Sequence, residues 1–351
     1  MTIPVRHYTL DAMRGLAAIA VVVLHAQHIL LPGGTIAVDF FFALSGFVIA
    51  RTYDSRFVRG LSASRFVGLR VVRLYPLYLA GLCFGVARIA TSSFQAVGTY
   101  SSWDIVVTVL FGLAFLPSPF MTELGPLNAP SWSLYMELLA NVFYAFALAR
   151  CRTIVLIAVM AVSGFGIAYG ALVHGSADLG VVWSTAWGGV ARVIFGFTLG
   201  MIVSRIHNRI INGGWMCLAP IAILFGAMFA PGLRGDRAVV DLVMIFTAVP
   251  AALWLGATLN LPARLARPAA ALGQISYPLY AIHFPVLLWL NAGPLALHRV
   301  RFSFWFTTYL VAVMALAWVL ARSWDPVIRM HLKRILRNFA YRWILKSSSV
   351  R

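Results

Sequence analysis

Ten predominantly apolar runs divide this chain, and they restrict its fold more than any other feature of the sequence. A helix of about 17–25 apolar residues is long enough to cross the hydrocarbon core of a bilayer. The sequence therefore predicts an all-α fold, a polytopic transmembrane helix bundle of about ten spans. The candidate spans lie near residues 13–31, 36–50, 74–90, 132–149, 153–173, 187–204, 215–231, 239–259, 271–291 and 303–321.

The composition agrees with a membrane protein. Hydrophobic residues make up 61% of the chain and charged residues 11%, whereas soluble domains average about 45–50% and about 25%. Because no long polar block interrupts the runs, we expect one membrane domain over residues 1–321, followed by a tail over residues 322–351. The three cysteines show no CxxC or Cys/His spacing, so neither a disulfide framework nor a metal site is predicted.

The placement of arginine and lysine predicts the orientation. Short cytoplasmic loops collect these residues. If the N-terminus is cytoplasmic and the short run at 104–117 is a re-entrant or interfacial segment, both termini are inside and 22 of the 28 basic residues lie there. The net charge of +18 is then explained by topology rather than by nucleic-acid binding. The tail is predicted to be a basic amphipathic helix on the cytoplasmic leaflet.

The first span carries ionisable groups at both ends. Arg14 and His25 are 11 residues apart, which at 100° per residue is within about 20° of three full turns, so they share one helical face, roughly 16 Å apart. Asp11, one turn before Arg14, is placed to pair with it. Histidine inside a span is rare and usually lines a pathway or a site.

Three further ionisable residues are predicted at about the depth of His25, namely Glu137, Arg192 and His283. Such groups are costly in a bilayer unless they pair or meet water. One interpretation is a buried Glu137–Arg192 ion pair that joins two helices, and the other is a water-filled reaction chamber. Ser45, beside Gly46, fits either a polar site residue or close helix packing.

Two more arginines begin the third span. Arg70 and Arg73 share a helical face, and beside Arg14 they would form a phosphate-binding mouth, because guanidinium groups match phosphate oxygens. The alternative is ordinary positive-inside charge.

The ordered set of these motifs resembles acyltransferase family 3, the membrane O-acyltransferases of polysaccharides and related acceptors. The resemblance covers roughly residues 8 to 321. It is carried by the R-x10-H spacing of Arg14 and His25, "VDFFFALSGFVIA", the R-x-x-R of Arg70 and Arg73 before "LYPLY", "PSWSLYMEL" and "SYPLYAIHFPVL".

The resemblance implies an acyl-CoA donor, usually acetyl-CoA, bound from the cytoplasm, and a carbohydrate or glycolipid acceptor, in a bacterial inner membrane. It assigns the catalytic histidine to His25 and the donor-binding arginines to Arg14, Arg70 and Arg73. Asp11 and Glu137 match the family's acidic positions. This chain departs from the family where Leu138 and Leu139 follow Glu137, since many relatives have a second acidic residue there.

A mechanism follows as a hypothesis. The donor phosphates dock on the arginines, and the thioester ends near His25, which acts as general base or as acyl carrier. Glu137 is expected to orient the imidazole, and Arg192 or a hydroxyl to stabilise the oxyanion.

The rival hypothesis is a proton-coupled transporter or flippase with His25, Glu137 and Arg192 as the relay. Transporters of this kind tend to contain inverted repeats, and the sequence shows no internal repeat. A one-sided arginine cluster also suits a phosphate-bearing donor better than a transported proton.

Overall fold

The computed structural model describes residues 6–91, 101–232, 235–292 and 304–348 as a bundle of α-helices. The only strands in these ranges are two short ones, β1 (Ile211–Asn212) and β2 (Leu259–Asn260), which pair in parallel. The helices are α1 Tyr8–Ala26, α2 Ile36–Val58, α3 Ala63–Thr91, α4 Ser102–Leu113, α5 Ser131–Phe146, α6 Thr153–His174, α7 Ala186–Ile206, α8 Leu218–Phe229, α9 Arg237–Val243, α10 Val249–Thr258, α11 Ala263–Ala292, α12 Phe304–Arg322 and α13 Trp324–Ser348.

Each of the ten predicted spans falls on a helix, which confirms the predicted all-α membrane bundle. In the described ranges, eight helical segments are both long and apolar enough to cross a membrane. The other two predicted spans are α5, with 16 residues, and α11, with 30. One predicted span is composite, because α9 and α10 are joined by the π-helical turn Met244–Ala248.

The run predicted to be re-entrant or interfacial forms the short helix α4. Its 12 residues rise about 18 Å, which is less than the roughly 30 Å of a hydrocarbon core. Its C-terminal carbonyl groups are bonded from α3: the Tyr75 hydroxyl donates to Leu113 O at 2.7 Å, and the Tyr78 hydroxyl to Gly112 O at 2.8 Å. Two tyrosines of α3 thus satisfy acceptors that the end of a helix leaves open.

Glycines set the closest helix contacts. A Cβ atom added at Gly46 of α2 would overlap the backbone of Phe197 in α7, and one added at Gly200 would overlap Ala43 in α2. A Cβ atom added at Gly15 of α1 would overlap the backbone of Leu272 in α11. Small residues let helices approach closely in membranes, and they fix the pairs α2–α7 and α1–α11 in this bundle.

The outer surface is apolar. On α6, Val162, Phe165 and Leu172 are each more than 60% exposed. A soluble protein rarely exposes such a surface, but a lipid-facing helix requires it. A set of polar side chains is buried inside the bundle, and these side chains form the groups described below.

Candidate active site

A cavity of about 590 Å³ lies among α2, α3, α5, α11 and the junction of α12 and α13. Its size is typical of a small-molecule or cofactor site. Five arginines line it, against only two carboxylates, Glu137 and Asp325. The excess of positive charge favours an anionic ligand. The five arginines are Arg14, Arg70, Arg73, Arg322 and Arg329.

Arg14 is fixed on one side and free on the other. Its Nη2 donates to Gly273 O at 2.7 Å and to Asp11 Oδ1 at 3.3 Å, while Asp11 Oδ2 accepts from Arg6 Nε at 2.6 Å. The predicted pair of Asp11 with Arg14 is therefore present. The Nε of Arg14 is buried and makes no hydrogen bond to any part of the chain that the structure describes.

Arg70, Glu137 and Ser45 form one hydrogen-bonded group on the cavity wall. Glu137 Oε1 accepts from Ser45 Oγ at 2.8 Å and from Arg70 Nη2 at 3.2 Å. The Nε of Arg70 is likewise buried and has no acceptor within the described ranges. Arg14 and Arg70 both line the cavity, and guanidinium groups match anionic groups such as a phosphate.

Ser45 therefore faces the cavity, and its neighbour Gly46 makes the close helix contact. The packing alternative that the sequence left open for Ser45 applies to Gly46 instead.

His25 contacts a second histidine. Its Nδ1 lies 2.9 Å from Val21 O and 3.2 Å from His283 Nε2, and the two rings are 5.0 Å apart at their centroids. His283 is fully buried, and its Nδ1 lies 2.8 Å from Tyr280 O. The expected contact of His25 with Glu137 is absent from this structure, because the hydrogen bonds of Glu137 go to Ser45 and Arg70.

The histidine pair adjoins the cavity without lining it. Tyr280 lines the cavity, and its ring lies 5.9 Å from that of His283 and 5.7 Å from that of Phe41, another lining residue. The Tyr280 hydroxyl is fixed by a 2.7 Å hydrogen bond with Ser133 Oγ. Tyr280 thus lies between the cavity and His283, with Phe41 packed against it, and we call these two side chains the partition.

Arg192 lies elsewhere, in a buried ion pair with Asp39. Its Nε donates to Asp39 Oδ1 at 3.0 Å and its Nη2 to Asp39 Oδ2 at 2.9 Å, while its Nη1 donates to Leu179 O at 2.8 Å. Arg192 is 1% exposed and does not line the cavity. The Glu137–Arg192 pair, one of the two interpretations that the sequence left open, is not formed: the partner of Arg192 is a carboxylate of α2, because α2 packs along α7. The four ionisable residues predicted for one layer thus form three separate groups.

Four residues that line the cavity, and the buried partner of Arg192, were not predicted from the sequence. Arg322 and Arg329 were included only in the basic tail, although a spacing of seven residues places them on one helical face directly after the last span. Asp39 is an acidic residue inside an apolar run, which is itself a signal of a buried partner. Phe41 and Tyr280 carry no such signal, since aromatic residues are common in spans.

Comparison with known proteins identifies the kind of domain. Residues 7–322 match a family model described as an acyltransferase domain. The chain is 35% identical over 177 residues to "Protein 2 in picA locus" of Rhizobium radiobacter, an alignment that covers 45% of this chain and 93% of that protein. It is 27% identical over 277 residues to the acyltransferase MdmB of Streptomyces mycarofaciens, with 72% of this chain and 68% of that protein covered. No solved structure matches the chain at a significant level.

Proposed function

The chain belongs to acyltransferase family 3 and is an acyltransferase with several membrane-spanning helices. From that premise we propose that it transfers an acyl group from cytoplasmic acyl-CoA to a hydroxyl of a carbohydrate or glycolipid, and that the acyl group is acetyl. Its place would be the bacterial cytoplasmic membrane, in line with the bacterial sources of both relatives. The transporter hypothesis finds no support in this family.

The observation that carries the donor assignment is the cavity lined by five arginines against two carboxylates. CoA bears several phosphate charges, and arginine binds phosphate through paired N–H donors. Arg14, Arg70 and Arg73 would hold these phosphates, with Arg322 and Arg329 beside them. The cavity extends from this cluster to Tyr280, so it offers an elongated path for the arm that ends in the thioester.

The chemistry is assigned to His25. As general base, the imidazole takes the proton of the acceptor hydroxyl while the hydroxyl oxygen attacks the thioester carbonyl. The C–O bond forms, the C–S bond breaks, and the leaving sulfur takes the proton from the imidazolium. In the covalent alternative the same imidazole nitrogen attacks the thioester carbonyl, the C–S bond breaks, and CoA leaves as the thiolate. The acceptor hydroxyl then attacks the acyl-imidazole, the C–N bond breaks, and the hydroxyl proton passes to the thiolate. Both routes require the thioester to pass the partition, so Phe41 and Tyr280 would move when donor binds.

The test is acyl transfer by purified protein in lipid nanodiscs, with radiolabelled acetyl-CoA and a candidate acceptor glycan. His25→Ala is expected to lose release of free CoA by about 10²–10⁴-fold, the usual contribution of a general base. His28→Ala is the matched control, because His28 is exposed three residues further along, and it is expected to keep full activity. Wild-type transfer by His25→Ala would remove this histidine from the mechanism.

The acceptor is tested separately in cells. A deletion strain complemented with wild-type or His25→Ala protein is compared by mass spectrometry of its surface glycans. We expect one O-acetyl group to return only with the wild-type protein. Identical glycans in all strains would point to an acceptor outside the cell-surface carbohydrates.

A further inference from the structure

We infer that His283 is a positioning residue that holds the proton of His25 on Nδ1 and so leaves His25 Nε2 bare for the reaction. This inference deepens the proposed function and rests on the role of His25 in it. It rests on the hydrogen bonds of the two imidazole rings, those of the fully buried His283 and of His25 beside it.

The first step fixes the proton of His283. Its Nδ1 lies 2.8 Å from Tyr280 O and 3.2 Å from Leu279 O. A carbonyl oxygen only accepts, so Nδ1 of His283 must carry the hydrogen. In a neutral imidazole the other nitrogen is then an acceptor. His283 is 0% exposed and makes no ion pair with any described carboxylate, so the neutral ring is the form that burial favours.

The second step derives the position of the His25 proton from that of His283. Its Nδ1 faces two acceptors, His283 Nε2 at 3.2 Å and Val21 O at 2.9 Å. Only an Nδ1–H satisfies both. The neutral His25 ring therefore has its lone pair on Nε2, the nitrogen that is free of hydrogen bonds to described residues. When Nε2 takes a proton, the Nδ1–H bond to His283 becomes charge-assisted and stronger.

Two hydrogen bonds from outside α11 hold the backbone around His283, so the position of its ring is fixed. The hydroxyl of Tyr309 in α12 donates to His283 O at 3.0 Å. Asn128 Nδ2 donates at 2.8 Å to Ala281 O, the carbonyl group that Pro285 leaves without its usual helical N–H donor.

The two histidines lie 258 residues apart in the chain, and α1 and α11 bring them together by the packing at Gly15. Val21 O alone would preserve part of the tautomer preference in the absence of His283. The expected loss is therefore smaller than for removal of His25 itself.

The kinetic test compares His283→Leu and His283→Gln, since Leu removes the acceptor and the amide of Gln retains one. We expect Leu to lower kcat about 10- to 100-fold, the range of a hydrogen bond to a charged group, with KM for acetyl-CoA unchanged, and Gln to restore most of the loss. The control is His207→Leu, which removes a buried histidine far from His25 and is expected to leave kcat unchanged. Should the Leu variant fail to fold, the Gln variant and the spectroscopic test below decide.

The spectroscopic test measures the ¹⁵N chemical shifts of histidine-labelled wild-type protein in membranes, with the His25 signals identified by their absence from His25→Ala. We expect a protonated Nδ1 and a bare Nε2 for His25, a smaller population of this tautomer in His283→Leu, and a population close to that of the wild type in His283→Gln, which retains an acceptor. A protonated Nε2 in the wild type, or full kcat in His283→Leu, overturns the inference. Wild-type activity of His25→Ala would instead contradict the proposed function, so the two failures are distinguishable.

Discussion

At the scale of single residues, the guanidinium of Arg14 is bonded to the protein through Nη2, and the residue lines the cavity. The Nη2 is bonded to Gly273 and Asp11, and the buried Nε is not bonded to any described residue. We predict that Arg14→Ala raises KM for acetyl-CoA about 10- to 100-fold, because it removes a charge-assisted bond worth roughly 1.5–3 kcal/mol. Steady-state kinetics measure this effect. Arg65→Ala, an exposed residue of α3, is the control, and an unchanged KM in Arg14→Ala would argue against a phosphate contact.

Asp39 and Arg192 allow a prediction on stability. Removing one partner of a buried ion pair costs about 3–5 kcal/mol, because the other charge is left buried. Arg192→Leu is therefore expected to lower the melting temperature strongly, and the double variant Asp39→Leu, Arg192→Leu to recover part of the loss. Thermal unfolding in detergent measures both. Activity per folded molecule should stay near wild type, since the pair does not line the cavity. A large loss of activity at full stability would instead support the oxyanion role that the sequence analysis assigned to Arg192.

The sequence predicted residues better than it predicted pairs. Arg14, Arg70, Arg73, Glu137 and Ser45 were selected from local spacing, and all five line one cavity. Their partners depend on which helices become neighbours, and spacing within one helix holds no such information. Glu137 was therefore assigned to His25, although it is bonded by residues of α2 and α3.

At the scale of helices, α11 shows how a proline is accommodated in a span. Pro285 removes the N–H that would bond Ala281 O, and Asn128 supplies a donor instead. Asn128→Ala is expected to cost about 1–3 kcal/mol for the acceptor left buried. In a protein that also carries Pro285→Ala, the backbone N–H at position 285 can bond Ala281 O. The Asn128→Ala change should therefore cost less stability there. Melting temperatures of the four variants form a double-mutant cycle, and additive effects would contradict this coupling.

The helices α12 and α13 contribute more to the cavity than an anchoring tail would. Arg322 and Arg329 line the cavity, and α13 is held against α3 by bonds from Arg329 Nη2 to Arg73 O at 3.2 Å and from Trp324 Nε1 to Pro76 O at 2.6 Å. The start of the predicted tail at residue 322 thus falls within the cavity wall. Whether the remainder of residues 322–351 lies on the cytoplasmic leaflet stays a prediction, and residues 349–351 lie outside the described ranges.

This arrangement predicts a role for the tail in donor binding. The double variant Arg322→Ala, Arg329→Ala is expected to raise KM for acetyl-CoA about 10-fold, with a weaker dependence of KM on salt, because two of five positive charges leave the site. Lys333→Ala, Arg334→Ala is the matched control, since both residues are exposed on α13, the helix that carries Arg329. Equal effects of the two double variants would indicate a general loss of charge or of membrane contact.

At the scale of the whole molecule, the helical bundle was predictable because the bilayer imposes one requirement on every span. Each apolar run had to form a helix, and the length of a run shows whether it can cross, as α4 illustrates with 12 residues. The order of packing was not predictable, since glycines such as Gly46 and Gly200 act in pairs from distant helices. For the same reason the partition could not be predicted, because its two side chains come from different helices, α2 and α11.

Orientation is the remaining property of the whole molecule, and it decides from which side the donor enters. Arg70 and Arg73 follow the loop between α2 and α3, so the arginine-rich part of the cavity lies on the side of this loop. Positive-inside charge predicts that this side faces the cytoplasm, where acyl-CoA would be available. The loop between α4 and α5 would then lie on the opposite side.

This orientation is tested with single cysteines in a variant that lacks Cys83, Cys151 and Cys217. Ser64→Cys introduces a thiol at an exposed position in the first turn of α3, next to the loop between α2 and α3. Thr122→Cys introduces one at an exposed position in the loop between α4 and α5. In intact cells, a membrane-impermeant maleimide is expected to label Thr122→Cys only, and in permeabilised cells to label both, which serves as the control for reactivity. The reverse pattern would place the five arginines outside the cell. Cytoplasmic acyl-CoA would then have no access to them, and the donor assignment would fail even if His25 proved essential.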